Sequence, residues 1–200
     1  MEAVAWANDE CGNNRDHDKA NAGGPPIHEA LAGEIDAAIK SFERALKLNP
    51  AFVQALGNMG NTFLDMGRLE DSEKAYRDGL NLIPDQPDLY YNLGRALYEQ
   101  GRWDEAEESF RKTLSLNHAY PLAHWNLSHV MLLNGRFREG WLEYEWRWHC
   151  PGFTTQIPKF EQPRWDGKDI SGKTLLVYSE QGFGDTIQFV RYLPELSASG

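Results

Sequence analysis

The sequence has little cysteine, no excess of basic residues and no long apolar run. Its two cysteines, Cys11 and Cys150, lie far apart and have no partners at the spacing of metal ligands, so we expect neither a disulfide framework nor a zinc site. Thirty acidic residues against 20 basic ones give a net charge of -10, which disfavours binding to nucleic-acid phosphates.

Membrane segments are missing as well. No apolar run approaches the roughly 18 residues that span a bilayer. The first residues, MEAVAWANDECGNN, show neither the basic nor the apolar part of a secretion signal. We therefore expect a soluble protein of the reducing cytoplasm that binds neither membranes nor nucleic acid and needs no cofactor or metal. Hydrophobic residues make up 41% of the 200, enough to bury a core in one domain or two small ones.

Glycine recurs with a step of 34 residues, at Gly33, Gly67, Gly101 and Gly135. Apolar residues keep the same step and have helical spacing before and after each glycine, so each unit is predicted to form a helix, a turn and a second helix. The aligned apolar sets are Leu46, Leu80, Leu114 and Trp148; Phe42, Tyr76, Phe110 and Tyr144; and Met59, Leu93 and Leu127.

The motif Tyr90-x2-Leu93-Gly94-x2-Leu97, followed by Ala106-x3-Phe110, closely resembles the tetratricopeptide repeat. The resemblance implies an all-α fold, a right-handed superhelical solenoid of antiparallel helix pairs. We expect this solenoid over residues 33–150, as a partial first repeat and then 51–84, 85–118 and 119–152. The predicted helices are 34–48, 51–65, 69–82, 87–99, 103–116, 121–133 and 137–149.

The repeat fails at the front of the chain. Gly23, Gly24, Pro25 and Pro26 interrupt the place of an earlier first helix, and residues 1–32 contain few large apolar side chains, so we predict a disordered tail there. As an alternative, residues 27–32 extend the next helix backwards through Gly33, at a cost of about 1 kcal/mol for the glycine.

The helical period also ends after Cys150, and residues 151–200 are predicted to form a connector and a short strand-turn-helix fragment of an α/β domain. Residues 174–179, TLLVYS, have the composition of a buried strand. A glycine turn with Gly182, Gly184 and Asp185 follows, and TIQFVRYLPEL has helical spacing. Because a lone strand leaves both edges unpaired, we expect it either to fold onto the solenoid or to form a homodimer through residues 174–197.

This C-terminal stretch resembles the start of the glycosyltransferase domain in bacterial tetratricopeptide-repeat glycosyltransferases, which is heptosyltransferase-like. The resemblance is carried by Pro163-x-Trp165-Asp166-Gly167 and by EQGFGDTIQFVRYLP. It implies an anion or acceptor loop at Gly182 and Gly184, with Asp185 as a general base. The family's nucleotide-sugar domain is absent from the sequence, so we predict no catalytic residue and no enzyme activity for this chain, unless another chain supplies that domain to Asp185.

The resemblance places the first helix of each pair on a concave face, where asparagine recurs with the 34-residue step. Such amides can hold the backbone of an extended peptide, because each offers two donors and one acceptor. The alternative is that these asparagines only make contacts between helices. The predicted peptide-binding residues are Asn58, Asn61, Tyr91, Asn92, Arg95, Trp125, Asn126 and His129. We thus predict a protein-interaction module that binds a peptide or partner protein; the alternative is an inactive acceptor-side glycosyltransferase fragment.

Three aromatic residues of the last helix, Trp141, Tyr144 and Trp148, have the spacing of one helical face, and we expect them to pack in the core. Trp146 points elsewhere on that helix and is the better candidate for a partner surface.

Overall fold

A computed structural model describes residues 26–153, 160–163, 165, 171–177, 187 and 190–194. The chain divides into two units, Met1–Phe153 and Thr154–Gly200. In the first unit, each helix packs against the next one along the chain. Its helices are α1 Pro26–Leu48, α2 Val53–Asp65, α3 Leu69–Leu82, α4 Pro87–Glu99, α5 Trp103–Leu116, α6 Pro121–Leu133 and α7 Phe137–Tyr144.

Most predicted helix boundaries agree with these bounds. The helices 69–82, 87–99, 103–116 and 121–133 begin and end where the sequence pattern placed them. α2 begins at Val53 instead of residue 51, because the Asn49 side chain accepts a hydrogen bond from the Ala51 N–H at 3.1 Å and holds a turn before the helix. α1 begins at Pro26 and passes through Gly33, as in the alternative that extends this helix backwards.

Three of the four periodic glycines end a first helix in the left-handed conformation. Gly67, Gly101 and Gly135 have φ of 70°, 75° and 73°, a region that residues with a Cβ rarely adopt. Gly33 differs, because it lies inside α1. The 34-residue step therefore marks a real turn in the three complete helix pairs and not in the partial first one.

Glycine also lets the two helices of a pair approach each other closely. A Cβ added at Gly94 would lie 2.6 Å from the Phe110 ring, and one added at Gly60 would lie 2.5 Å from the Tyr76 ring. The Ser72 hydroxyl donates a 2.8 Å hydrogen bond to the Gly60 carbonyl across the same interface. Close packing of this kind places the aromatic rings of the second helices in the core.

The last predicted helix, 137–149, is α-helical only to Tyr144, and Glu145–His149 continues as a 3-10 helix. A 3-10 helix has 3.0 residues per turn, so the side chains after Tyr144 point in directions that differ from those of a continued α-helix. This change of period moves Trp146 away from the face predicted for it.

In the second unit, the predicted strand at 174–179 is wrong over its described residues. Residues 173–177 have an irregular backbone, and residues 178 and 179 lie outside the described residues, as do Gly182, Gly184 and Asp185. The described part of the predicted helix contains a 3-10 turn, Val190–Tyr192. None of the helices in the described ranges is long and apolar enough to cross a membrane.

Candidate peptide-binding face

The periodic asparagines lie on the first helices of three successive pairs, at Asn58 in α2, Asn92 in α4 and Asn126 in α6. Asn58 is exposed, and Asn92 and Asn126 are half-buried. The three helices are neighbours, because α2 contacts α4 and a hydrogen bond from Asn126 joins α6 to α4. We call the surface that Asn58, Asn92 and Asn126 define on these helices the asparagine face.

The three amides of the asparagine face differ in their hydrogen bonds. The Asn126 amide donates to the Tyr91 hydroxyl at 3.3 Å. Among the described residues, the side chains of Asn58 and Asn92 make no hydrogen bond. Their donors and acceptors are therefore available to a ligand, whereas one donor of Asn126 is already engaged in the hydrogen bond between α6 and α4.

One turn along the same helices lie Asn61, Arg95 and His129. Asn61 is engaged, because its side-chain oxygen accepts a 2.6 Å hydrogen bond from the Tyr76 hydroxyl. Arg95 is half-buried, and its guanidinium lies 5.9 Å from the centre of the Tyr91 ring. It is the sole Lys or Arg in α2, α4 and α6, and it forms no ion pair within the described part of the chain. The asparagine face thus carries one positive charge, and the acidic residues Asp65 and Glu99 lie one turn further along α2 and α4.

Three of the predicted binding residues lie beneath the surface. Tyr91, Trp125 and His129 are 8%, 5% and 8% exposed. Tyr91 packs on Tyr120 with ring centres 5.0 Å apart, and Trp125 packs on Tyr144 at 4.7 Å. In the free chain these three side chains support the face from below, and the sequence pattern could not distinguish this position from an open one.

The Nε2 atom of His129 is buried and has no hydrogen-bond partner. The His129 ring contacts Trp125 edge to face, with ring centres 4.8 Å apart. Burial lowers the pKa of His129 to about 4, because an apolar environment disfavours the charged imidazolium. His129 is therefore neutral at pH 7.

Phe153 is a contact residue that sequence reasoning missed. Its ring centre lies 5.3 Å from that of Trp148 and 6.3 Å from that of Trp125. The Trp148 Nε1 atom, like His129 Nε2, is buried without a hydrogen-bond partner. Phe153 lies in a segment without helical period, so no pattern indicated that it returns to α6. We call Trp125, His129, Tyr144, Trp148 and Phe153 the aromatic cluster.

Trp141 and Trp146 exchange the roles predicted for them. Trp141 is 55% exposed, whereas Trp146 stacks on the His124 ring with centres 3.9 Å apart and an interplanar angle of 5°. The two ring nitrogens of His124 contact the Glu143 carboxylate and, at 2.8 Å, the His118 carbonyl. Trp146 is thus packed against α6 because the backbone has changed to a 3-10 helix at this point.

A metal or nucleophile site has no support from side-chain positions in the described ranges. No three His, Cys, Asp or Glu residues lie there in positions that could hold a metal ion. The Ser128 hydroxyl is buried and donates to the Trp125 carbonyl at 2.6 Å, within its own helix.

Family models described as tetratricopeptide repeats match residues 58–124, 91–139 and 30–67. Among characterised proteins, FlbA of Caulobacter vibrioides is 42% identical over 60 residues, which is 29% of this chain and 10% of FlbA. The chain therefore matches about a tenth of the length of this relative.

Solved structures share the helical architecture. A MamA crystal structure superposes with a TM-score of 0.54 at 25% identity, over 60% of this chain and 70% of MamA. PilF of Pseudomonas aeruginosa gives a TM-score of 0.50 at 19% identity, over 54% of this chain and 49% of PilF. The second similarity is informative about the fold alone.

Proposed function

Because the chain belongs to the tetratricopeptide-repeat family over residues 30–139, we propose that it is a protein-interaction module that binds an extended peptide or partner protein on the asparagine face. The observation that carries this proposal is the pair of available amides at Asn58 and Asn92, on neighbouring first helices. Amides with unused donors and acceptors suit the backbone of an extended chain, which also presents both.

The chemistry around the amides supports the same ligand class. Arg95 adds one cationic donor, which suits a carboxylate or a backbone carbonyl of the peptide at this point. Asn126 contributes its remaining hydrogen-bonding groups, and the buried Tyr91 and Trp125 hold the helices beneath in fixed positions. The alternative role for the asparagines, contacts between helices, applies to Asn126 and leaves Asn58 and Asn92 unexplained.

A selection of peptides from a display library on the full chain, followed by calorimetry, tests this proposal. The double variant Asn58→Ala/Asn92→Ala is expected to bind the selected peptides about tenfold more weakly, because each lost hydrogen bond weakens binding by about two- to tenfold. Asn81→Ala in α3 is the matched control, since Asn81 is exposed on a second helix. Equal affinities for the double variant, the control and the wild type would contradict the proposal.

Nothing in the described residues favours the glycosyltransferase alternative. Residues 174–177, the described part of the predicted strand, have no strand. The role of Asp185 lies outside the described residues. Dimerisation through residues 174–197 and a cytoplasmic location stay predictions; for the first, the exposed side chains of Leu176, Val177 and Ile187 provide apolar surface.

A further inference from the structure

The ring of Phe153 contacts two tryptophans of the aromatic cluster, Trp125 and Trp148, and meets both edge to face. We call the space that this ring fills the slot. Its side chain is only half-buried, and its N–H donates to the Cys150 carbonyl at 3.2 Å in a tight turn. Trp125 occupies in α6 the repeat position of Tyr91 in α4 and directly precedes Asn126, so the slot adjoins the part of the asparagine face that α6 forms.

Two polar atoms of the aromatic cluster are buried without a partner, Nε2 of His129 and Nε1 of Trp148. Native proteins rarely leave such atoms unpaired, so each one calls for a functional or structural explanation. A benzyl side chain cannot provide one, because it has no donor or acceptor. A phenol can: its hydroxyl donates to an imidazole nitrogen or accepts from an indole N–H.

We propose that the slot beside Trp125 and Trp148 is a second ligand site, which takes a tyrosine side chain of a bound partner and which Phe153 fills in the free chain. The proposal rests on the proposed function, since it assumes that a partner lies along the asparagine face. The walls of the slot supply apolar and edge-to-face contacts for the ring, as they do for Phe153. The unpaired atom of His129 or Trp148 supplies the hydrogen bond that Phe153 cannot make.

Small analogues of the two side chains test the slot on the full chain without a known partner. We expect p-cresol, the tyrosine analogue, to bind Phe153→Ala about two- to tenfold more tightly than toluene, the range given by one net hydrogen bond. The Trp148 indole N–H resonance should shift on addition of p-cresol. The wild type is expected to bind p-cresol more weakly than Phe153→Ala, because Phe153 competes for the slot.

Two further variants serve as controls. Phe137→Ala removes a phenylalanine that is 60% exposed on α7, and it should bind p-cresol as the wild type does. Adding His129→Leu to Phe153→Ala should reduce the preference for p-cresol over toluene, because it removes one of the two unpaired atoms. Equal binding of p-cresol and toluene to Phe153→Ala overturns the proposal, and so does equal binding of p-cresol to Phe153→Ala and the wild type.

Phe153→Tyr keeps the test decisive if Phe153→Ala does not fold. This variant places a hydroxyl in the slot from within the chain, and it should raise the midpoint of thermal unfolding above that of the wild type. An unchanged or lower midpoint would count against a polar partner atom in the slot. None of these measurements involves Asn58 or Asn92, so the slot and the asparagine face can fail independently.

Discussion

The middle of the solenoid and its C-terminal end use the same 34-residue frame with different chemistry. In the middle, Arg102 reaches back to Glu73 of the preceding pair at 2.6 Å, and Arg136 contacts Glu107 in the same way one pair later. The next residue in the series of Glu73 and Glu107 is Trp141, which is 55% exposed. The charged contact that joins successive pairs therefore has no carboxylate at the equivalent position of α7.

The two regions also differ in how completely their polar atoms are satisfied. Glu73 accepts hydrogen bonds from Arg77, Gln100 and Arg102. At the C-terminal end, His129 and Trp148 each keep a buried nitrogen without a partner. The turn glycines and the aromatic positions of the second helices recur in both regions, whereas the polar contacts around them differ.

The largest expected effect is a difference in the pH at which the two regions lose stability. His129 has a pKa of about 4 in the folded chain and an ordinary value of 6.5, so the folded state binds fewer protons than the unfolded state between these values. The stability that comes from a neutral His129 is complete above pH 6.5 and is lost as the pH falls towards 4. The free energy of unfolding should decrease by about 3 kcal/mol in total. Urea unfolding of the wild type and His129→Leu from pH 7 to pH 4.5 measures the difference.

In the middle of the solenoid, the corresponding loss needs a lower pH. Burial raises the pKa of Glu73, but hydrogen bonds from Arg77, Gln100 and Arg102 outweigh it, and the pKa lies below the ordinary value of 4.5. This carboxylate therefore stabilises the fold above pH 4.5 and loses its effect as the pH falls further. If the wild type and His129→Leu lost stability in parallel between pH 6.5 and 4.5, His129 would not be the cause of the loss, and the proposed difference between the two regions would be wrong.

The next effect compares two glycines of the same sequence. Gly94→Ala places a Cβ 2.6 Å from the Phe110 ring, which lies in the fully buried core, and should destabilise the chain by about 1–3 kcal/mol. Gly33→Ala has no atom within 4 Å of the new Cβ and lies inside α1, so it should stabilise by about 0.5–1 kcal/mol. Changes of opposite sign in the free energy of unfolding are expected; an unchanged or higher stability of Gly94→Ala would contradict the close approach at Gly94.

The repeat explains how much of the fold and of the candidate binding face could be predicted from the sequence. The helices around Gly67, Gly101 and Gly135 were predicted correctly because a left-handed turn and a helical apolar period coincide there. The burial of Trp125 and His129 could not be predicted, because it depends on side chains that come from outside α6. Phe153 belongs to a proline-containing connector, where no period indicates which way the chain turns.

The end of α7 is a second place where the sequence pattern could not predict the structure. Tyr144 and Trp148 continue the periodic apolar series, so an unbroken α-helix was predicted to residue 149. In the structure, the backbone tightens after Tyr144, where Trp146 stacks on His124 and Arg147 is buried. The pattern of single residues does not contain these contacts between helices, and it therefore could not predict the 3-10 helix.

The smallest expected effect concerns the charged contact in the middle. Glu73→Gln keeps the shape of the side chain but removes the charge that Arg77 and Arg102 meet, and we expect a loss of about 1 kcal/mol, because the side chain of Glu73 is only 14% exposed. Glu108→Gln on α5 is the matched control: Glu108 is exposed, and a change there is expected to stay within about 0.5 kcal/mol. Urea unfolding at low and high salt distinguishes the two, since the Glu73 contribution should shrink as salt screens its arginines. Equal effects of both substitutions would show that the contact between Glu73 and Arg102 does not stabilise the packing of successive helix pairs. The middle and the C-terminal end would then differ in their surface charges and not in what holds the helix pairs together.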